Sequence, residues 1–324
     1  MSLAALILML RSMPGIVHKQ DIAPVLARLN LGAASATQVG DDCAAIPDGD
    51  GFLLFAIEGF IPEFVAADPY FAGYCGVMVN LSDVAAMGGH ALAVVDALFS
   101  ESEADAAEVL RGLASAAARY GVPVVGGHTN TRASSGGLAV AVLGRAKTLL
   151  TSFDAQPGDQ LIAAIDLRGR MRTPALYWDA STGADASRLR GDLALLPQIA
   201  EAGLCKAAKD ISMAGIIGTA LMLLEASKLG GVIDLDAIVR PAGVALEDWL
   251  RMFPSFGFLL SVTPANTETV IAMFTSRGIA ACVIGETDGA RIMRLRHRGE
   301  EQIFWELANE QFVGCVNDEV LHDA

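Results

Sequence analysis

Cysteine is scarce and scattered in this chain. Cys43, Cys75, Cys205, Cys282 and Cys315 form no Cys-x-x-Cys pair and no Cys/His spacing. An odd count of five in a chain of 324 residues argues against a disulfide framework, and the spacing argues against a zinc site. Basic residues are also few: 23 Lys and Arg face 37 Asp and Glu, a formal net charge of -14. With no basic stripe to displace counterions from a phosphate backbone, nucleic acid is not an expected partner. A nucleoside triphosphate remains compatible with this charge, because metal ions bridge two negative groups. Long apolar runs are missing too. The run over residues 3–10 is too short to span a bilayer and no basic segment precedes it, so it is expected to be a buried or amphipathic first helix. No membrane partner is expected, and a cytoplasmic location is. Low-complexity tracts and short repeats are absent as well.

What is present is an ordinary globular composition, 53% hydrophobic with only 6% aromatic, in a chain long enough for two domains. Periodicity and turn residues predict an α/β (α+β) organisation. Helices are expected over 3–13, 21–29, 68–87, 100–120, 187–201, 213–228, 244–252 and 267–277. Strands are expected over 52–57, 91–99, 122–125, 138–146, 161–165, 231–235, 256–262 and 280–284, with a terminal hairpin over 291–297 and 302–305. Residues 32–40 and the basic stretch 168–172 read as loops. The turn Gln156-Pro157-Gly158-Asp159 marks a boundary, giving domains 1–152 and 153–324.

Four short motifs carry chemistry. In Gly40-Asp41-Asp42, two adjacent carboxylates lead into an apolar segment, and they repel one another unless a cation or solvent intervenes. Asn80 and Asp83 lie three apart within an apolar helix, so they share one face and need buried partners, a metal or a neighbouring donor. Gly126-Gly127-His128-Thr129 follows a strand and reads as a phosphate-accommodating turn or a plain tight loop. Asp210 stands before an apolar helix, as a ligand or as a cap. Arg168 and Arg170 belong to the one dense basic cluster, which either grips phosphate bidentately or is simply solvated. Carboxylates beside glycines suit a magnesium–triphosphate site, since Mg2+ takes oxygen ligands from one or two carboxylates plus phosphates.

The order of these motifs, from about Gly40 to Gly285, resembles the superfamily of aminoimidazole ribonucleotide (AIR) synthetase, thiamine-monophosphate kinase, selenophosphate synthetase and the hydrogenase-maturation carbamoyl dehydratase. Gly40-Asp41-Asp42 with Ala44-Ala45 is similar to the kinase branch. Asp68-Pro69-Tyr70 with Asn80-Leu81-Ser82-Asp83, and Gly126-Gly127-His128-Thr129, are nearer the selenophosphate branch. The resemblance implies a two-domain AIR synthase-like fold, an N-terminal domain forming a barrel-like homodimer core, and a C-terminal α/β domain. It implies ATP and Mg2+ as cofactors, with Asp42, Asp83 and Asp210 as metal ligands and Asp41 assisting. Asn80, Gly126, Gly127, His128 and Thr129 would line the phosphates; beside the resemblance, His128 is the expected catalytic donor, and Arg168 and Arg170, from the basic cluster itself, are expected anion contacts. Glu58 occupies the place where relatives carry Asp, and is a further metal candidate. The chain also departs from these branches. No Gly-rich loop with a reactive Cys precedes Gly40, Ala214 stands where the kinase has an acidic residue before Gly215, and Phe253 to Phe258 replaces an acidic motif. The expected function is a Mg-dependent phosphotransferase (a kinase) or ATP-dependent synthetase acting on a small metabolite. The alternative is a nucleotide-binding homodimer without catalysis.

Overall fold

The computed structural model describes residues 1–29, 39–173 and 176–315; of the expected loop over 32–40, residues 32–38 lie outside the described residues. Helices α1 (Leu3–Arg11), α2 (Pro14–Val17) and α3 (Ile22–Leu29) open the chain. Strands β1 (Ala44–Asp48) and β2 (Gly51–Phe60), helices α4 (Pro62–Ala67) and α5 (Pro69–Ala86), β3 (Gly89–Phe99), α6 (Glu103–Tyr120), β4 (Val124–Asn130) and β5 (Gly137–Ala146) follow. Next come β6 (Gln160–Ile165), β7 (Arg170–Arg172), β8 (Tyr177–Asp179), α7 (Ala186–Leu193), α8 (Leu195–Glu201) and β9 (Ala207–Asp210). The last part holds α9 (Gly215–Ala226), β10 (Gly230–Asp234), α10 (Leu246–Trp249), β11 (Phe253–Pro254), β12 (Gly257–Val262), α11 (Thr267–Ser276), β13 (Ala280–Asp288), β14 (Ile292–His297) and β15 (Glu300–Glu306). Contacts divide the chain into two compact units. One is Asp42–Leu149 with Arg168–Ala202; the other is Met1–Asp41, Leu150–Leu167 and the described part of Gly203–Ala324.

The Asp42–Leu149 unit is built on a five-stranded sheet, order β1-β2-β5-β3-β4. It is antiparallel except for the β3–β4 pair. Alternation along each strand divides the sheet into two faces. Leu54, Val94, Leu98, Val140 and Val142 are all buried on the face that carries α5, and truncating one of these to Ala costs about 2–4 kcal/mol. Helix α5 starts as its sequence requires: Pro69 sits at the first helical position and the Asp68 carboxylate accepts the Phe71 N–H at 3.2 Å. Every residue from Phe71 to Ala86 is buried. Glycines permit its close crossing with α6. A Cβ at Gly73 would lie 2.0 Å from the Val109 carbonyl oxygen, and one at Gly112 would lie 2.0 Å from that of Tyr70. The opposite sheet face leaves Phe55, Ile57, Val95, Phe99 and Leu143 exposed. Both β1 and β4 are edge strands, and among the described residues no sheet closes into the expected barrel.

The second unit holds a seven-stranded mixed sheet, order β15-β14-β10-β13-β6-β12-β9. Helix α9 is buried along its whole length. Its Glu225 is 3% exposed, yet its carboxylate accepts the N–H groups of Phe312 and Val313 at 2.6 and 2.7 Å. That pairing offsets the cost of burying the charge. Arg11 ends α1 by donating to the Phe304 carbonyl at 2.8 Å and stacking over Trp305. No described helix is long and apolar enough to cross a membrane.

Three expectations change. The single helix over 187–201 is two helices meeting at Ala194. Pro197 lacks an N–H for the Leu193 carbonyl and its ring crowds that group, which breaks the helix there. The glycine motif 126–130 is strand, not turn, because β3 supplies a parallel ladder for it. The basic stretch is not a plain loop: Arg170–Arg172 pairs with Tyr177–Asp179 as a short hairpin.

Candidate metal and nucleotide site

Asp42 and Asp83 form the nucleus of the site. Asp83 projects from the C-terminal part of α5 and is 5% exposed; Asp42 is half-buried just before β1. One carboxylate oxygen of each lies within 4.8 Å of the other. Two carboxylates this close in a desolvated place repel strongly unless a cation, proton or donor stands between them. An all-oxygen pair at this spacing fits a hard divalent cation such as Mg2+. Asn80, one turn earlier on α5, is fully buried. Its Nδ2 donates to the carbonyls of Gly76 at 2.7 Å and Val140 at 3.0 Å, which locks the amide orientation. Its Oδ1 has no hydrogen-bond partner among the described residues. The helix face expected to carry these two groups is therefore the one turned to the sheet.

Asp41 is not part of the Asp42–Asp83 pair. Its Oδ1 accepts the Ser152 hydroxyl at 2.6 Å and its Oδ2 accepts the Ser152 N–H at 2.8 Å. The adjacent carboxylates thus have separate roles, one clamped by a turn and one turned toward Asp83. Asp210 is 3% exposed and ends β9, opposite Phe258 of β12. It is a strand-end residue and not a helix cap, since α9 begins only at Gly215. Glu58 lies half-buried on β2 and pairs in register with Val140, so it shares the face that α5 covers.

Strand β4 divides the glycine motif between two faces. Gly127 and Thr129 pair with Asp96 and Leu98, on the α5 side. Gly126 and His128 pair with Val95 and Ala97, on the bare side. The His128 ring accordingly sits 5.8 Å from that of Phe99. The four residues are therefore not brought together around one point.

Asp96 escaped the sequence reading. It stands in the row Glu58–Val140–Asp96–Gly127 across the sheet. Its Oδ2 is buried with no hydrogen-bond partner among the described residues. Burial pushes its carboxyl above the usual range, only partly countered by a backbone hydrogen bond. Gly127 makes room for it: a Cβ there would lie 2.4 Å from Asp96 Oδ1. The available signal was a lone acid inside the apolar run Val94-Val95-Asp96-Ala97-Leu98.

Two of the three clustered arginines serve their own unit. Arg168 pairs with buried Asp192 at 3.1 Å. Arg172 pairs with Asp68 and with Asp179, and stacks over Phe71 at 3.9 Å. Burial alone would raise the Asp179 carboxyl, but hydrogen bonds from Thr182, Ser181 and Arg172 hold it below the usual range. Arg170 is exposed on β7.

Comparison with known proteins agrees with this architecture. The family descriptions "AIR synthase related protein, N-terminal domain" and "AIR synthase related protein, C-terminal domain" match residues 40–146 and 167–298. An uncharacterized protein of Synechocystis is 49% identical over 98% of this chain and 99% of its own length. A selenide, water dikinase of Myxococcus xanthus is 28% identical over 68% of this chain and 67% of its own. Among solved structures, T. maritima PurL complexed with ATP superposes with a TM-score of 0.71 at 21% identity. That match covers 84% of this chain, which spans only 47% of PurL. The chain belongs to the AIR synthase-related family.

Proposed function

We propose that this protein is a Mg2+-dependent, ATP-binding phosphotransferase or ATP-dependent synthetase acting on a small metabolite. The observation that carries the reading is the pair of carboxylates, half-buried Asp42 and buried Asp83, within 4.8 Å of one another. In this reading Asp210 joins them as a ligand, with Glu58 as a further candidate. Gly127 and Thr129 face the phosphates, with Arg170 reaching an outer phosphate or the second substrate; Asn80, whose Nδ2 is committed to the Gly76 and Val140 carbonyls, keeps only its Oδ1, an acceptor suited to the cation. In this reading the expected domain 1–152 supplies the nucleotide, metal and dimerisation functions chiefly through its Asp42–Leu149 part, which forms one compact unit with Arg168–Ala202, and 153–324 is the second domain. A divalent cation in this place would neutralise the phosphate oxygens. The chain's own groups orient the phosphates and exclude water, which is most of what phosphoryl transfer demands. A relative named as a dikinase supports ATP use.

The exposed apolar row Phe55, Ile57, Val95, Phe99 and Leu143 supports a homodimer in which this face meets its copy and the open sheet becomes part of a larger barrel-like core. His128 belongs to that face, on the opposite side of the sheet from Asp96 and Gly127, so its expected role as donor to the same phosphates is not supported within one chain. One observation favours a second reading, a nucleotide-binding homodimer without chemistry. Ala214, where the kinase branch has an acid, is fully buried and offers no ligand. ADP release, measured with ATP, Mg2+ and a panel of small metabolites, tests the first reading. Metabolite-stimulated release that Asp83→Asn abolishes is expected; ATP binding with no release across the panel would favour the second.

A further inference from the structure

Buried Lys209 and Ser152 and half-buried Asp41 form a bridge that the ligand assignment leaves unused. Lys209 is 5% exposed and Ser152 0%. Lys209 Nζ donates to Ser152 Oγ at 3.2 Å. An ammonium only donates, so Ser152 Oγ accepts there and must send its own proton elsewhere. It goes to Asp41 Oδ1 at 2.6 Å, while the Ser152 N–H fills Asp41 Oδ2 at 2.8 Å. Behind it, the Ser227 hydroxyl donates to the Ser152 carbonyl at 2.8 Å and accepts the Ala155 N–H at 3.2 Å. Ser152 is thereby held on both sides. Removing a member deletes a hydrogen bond from this network and loosens the geometry of the remaining members.

Each end of the bridge is one peptide bond from a proposed ligand: Asp41 precedes Asp42, and Lys209 precedes Asp210. We propose that Lys209, acting through Ser152 and Asp41, is a positioning residue for the carboxylates that hold the divalent cation. This rests on the metal–nucleotide reading of the site. A purely electrostatic role predicts the opposite sign. A lysine charge near a cation site repels the cation, so its loss would tighten binding. Loss of a positioning bridge loosens it, as changes behind ligand groups commonly cost about 10–100-fold in metal affinity.

The test is Mn2+ titration in the presence of ATP, read by electron paramagnetic resonance, with thermal melting followed by circular dichroism for every variant. Lys209→Met and Ser152→Ala should each weaken Mn2+ binding by about tenfold or more. Lys209→Gln, which keeps a donor toward Ser152 without the charge, should recover most of the affinity. Folded Lys209→Met or Ser152→Ala protein that binds Mn2+ as well as wild type, or better, overturns the proposal. If Lys209→Met does not fold, Ser152→Ala decides the matter alone. Wild-type uptake that Asp83→Asn abolishes while both bridge variants retain it overturns only the bridge. A wild type that takes up no Mn2+ with ATP overturns the metal reading together with it.

Discussion

The two faces of the five-stranded sheet have opposite characters. One is covered by α5 and carries every acidic group of the sheet interior: Glu58 and Asp96, with Asn80 and Asp83 on the covering helix. The other is bare and apolar, with Ile57 65% and Phe55 52% exposed. A sheet whose sole purpose was a stable core would bury only apolar groups such as Leu54, Val94, Leu98, Val140 and Val142 under the helix and turn its polar groups outward. The departure separates two tasks. Charge is concentrated where water is excluded and a cation can hold it, and apolar area is left where another molecule can cover it.

The largest expected effect comes from emptying the covered face of its charge. Asp83→Asn keeps the shape of the side chain and removes the charge, and should weaken Mg2+-dependent nucleotide binding by about 100-fold, measured by calorimetry. Unchanged affinity would remove Asp83 from the ligand set. Filling the gap opposite Asp96 comes next. Gly127→Val places a branched side chain where a Cβ alone lies 2.4 Å from the Asp96 carboxylate, and should destabilise the fold by about 2 kcal/mol in urea unfolding. On the bare face, Ile57→Glu should lower self-association by about tenfold in analytical ultracentrifugation while leaving the melting temperature of the monomer nearly unchanged. Equal association of wild type and variant would leave that face without its partner.

The smallest effect sharpens the account of Asp96. Burial raises its carboxyl above the unfolded value, so the folded state holds the proton more tightly than the unfolded chain does. The stability this contributes is full below the unfolded pKa and is lost as pH rises through the raised folded one. Asp96→Asn cannot ionise, so its melting temperature relative to wild type should be higher near neutral pH than near pH 4. An identical offset at both pH values would show that Asp96 is not held above its ordinary range.

How much of this was legible in the sequence depends on whether the deciding contact is local. Helix α5 was readable at both ends, because Asp68-Pro69 and Gly88-Gly89 act within a turn of the positions they punctuate. The spacing of Asn80 and Asp83 fixed a shared face before any tertiary contact was known. Asp41 and Asp42 look alike in sequence, and what separates them is Ser152, 111 positions away. The glycine motif reads as a turn by residue type alone; the β3 ladder draws it into a strand, and alternation then splits its four residues between faces. Asp96 was passed over because the apolar residues around it describe a strand equally well with or without it. Pro197 was a local signal and was simply outweighed by the long helical pattern around it.

The central claim is that the Asp42–Asp83 pair holds a cation that in turn holds ATP. Isothermal titration of wild-type protein with ATP, with and without Mg2+, tests it most directly. The account predicts saturable binding in Mg2+ that is lost when the metal is chelated. Equal ATP binding with and without Mg2+, or no binding in either condition, would contradict it.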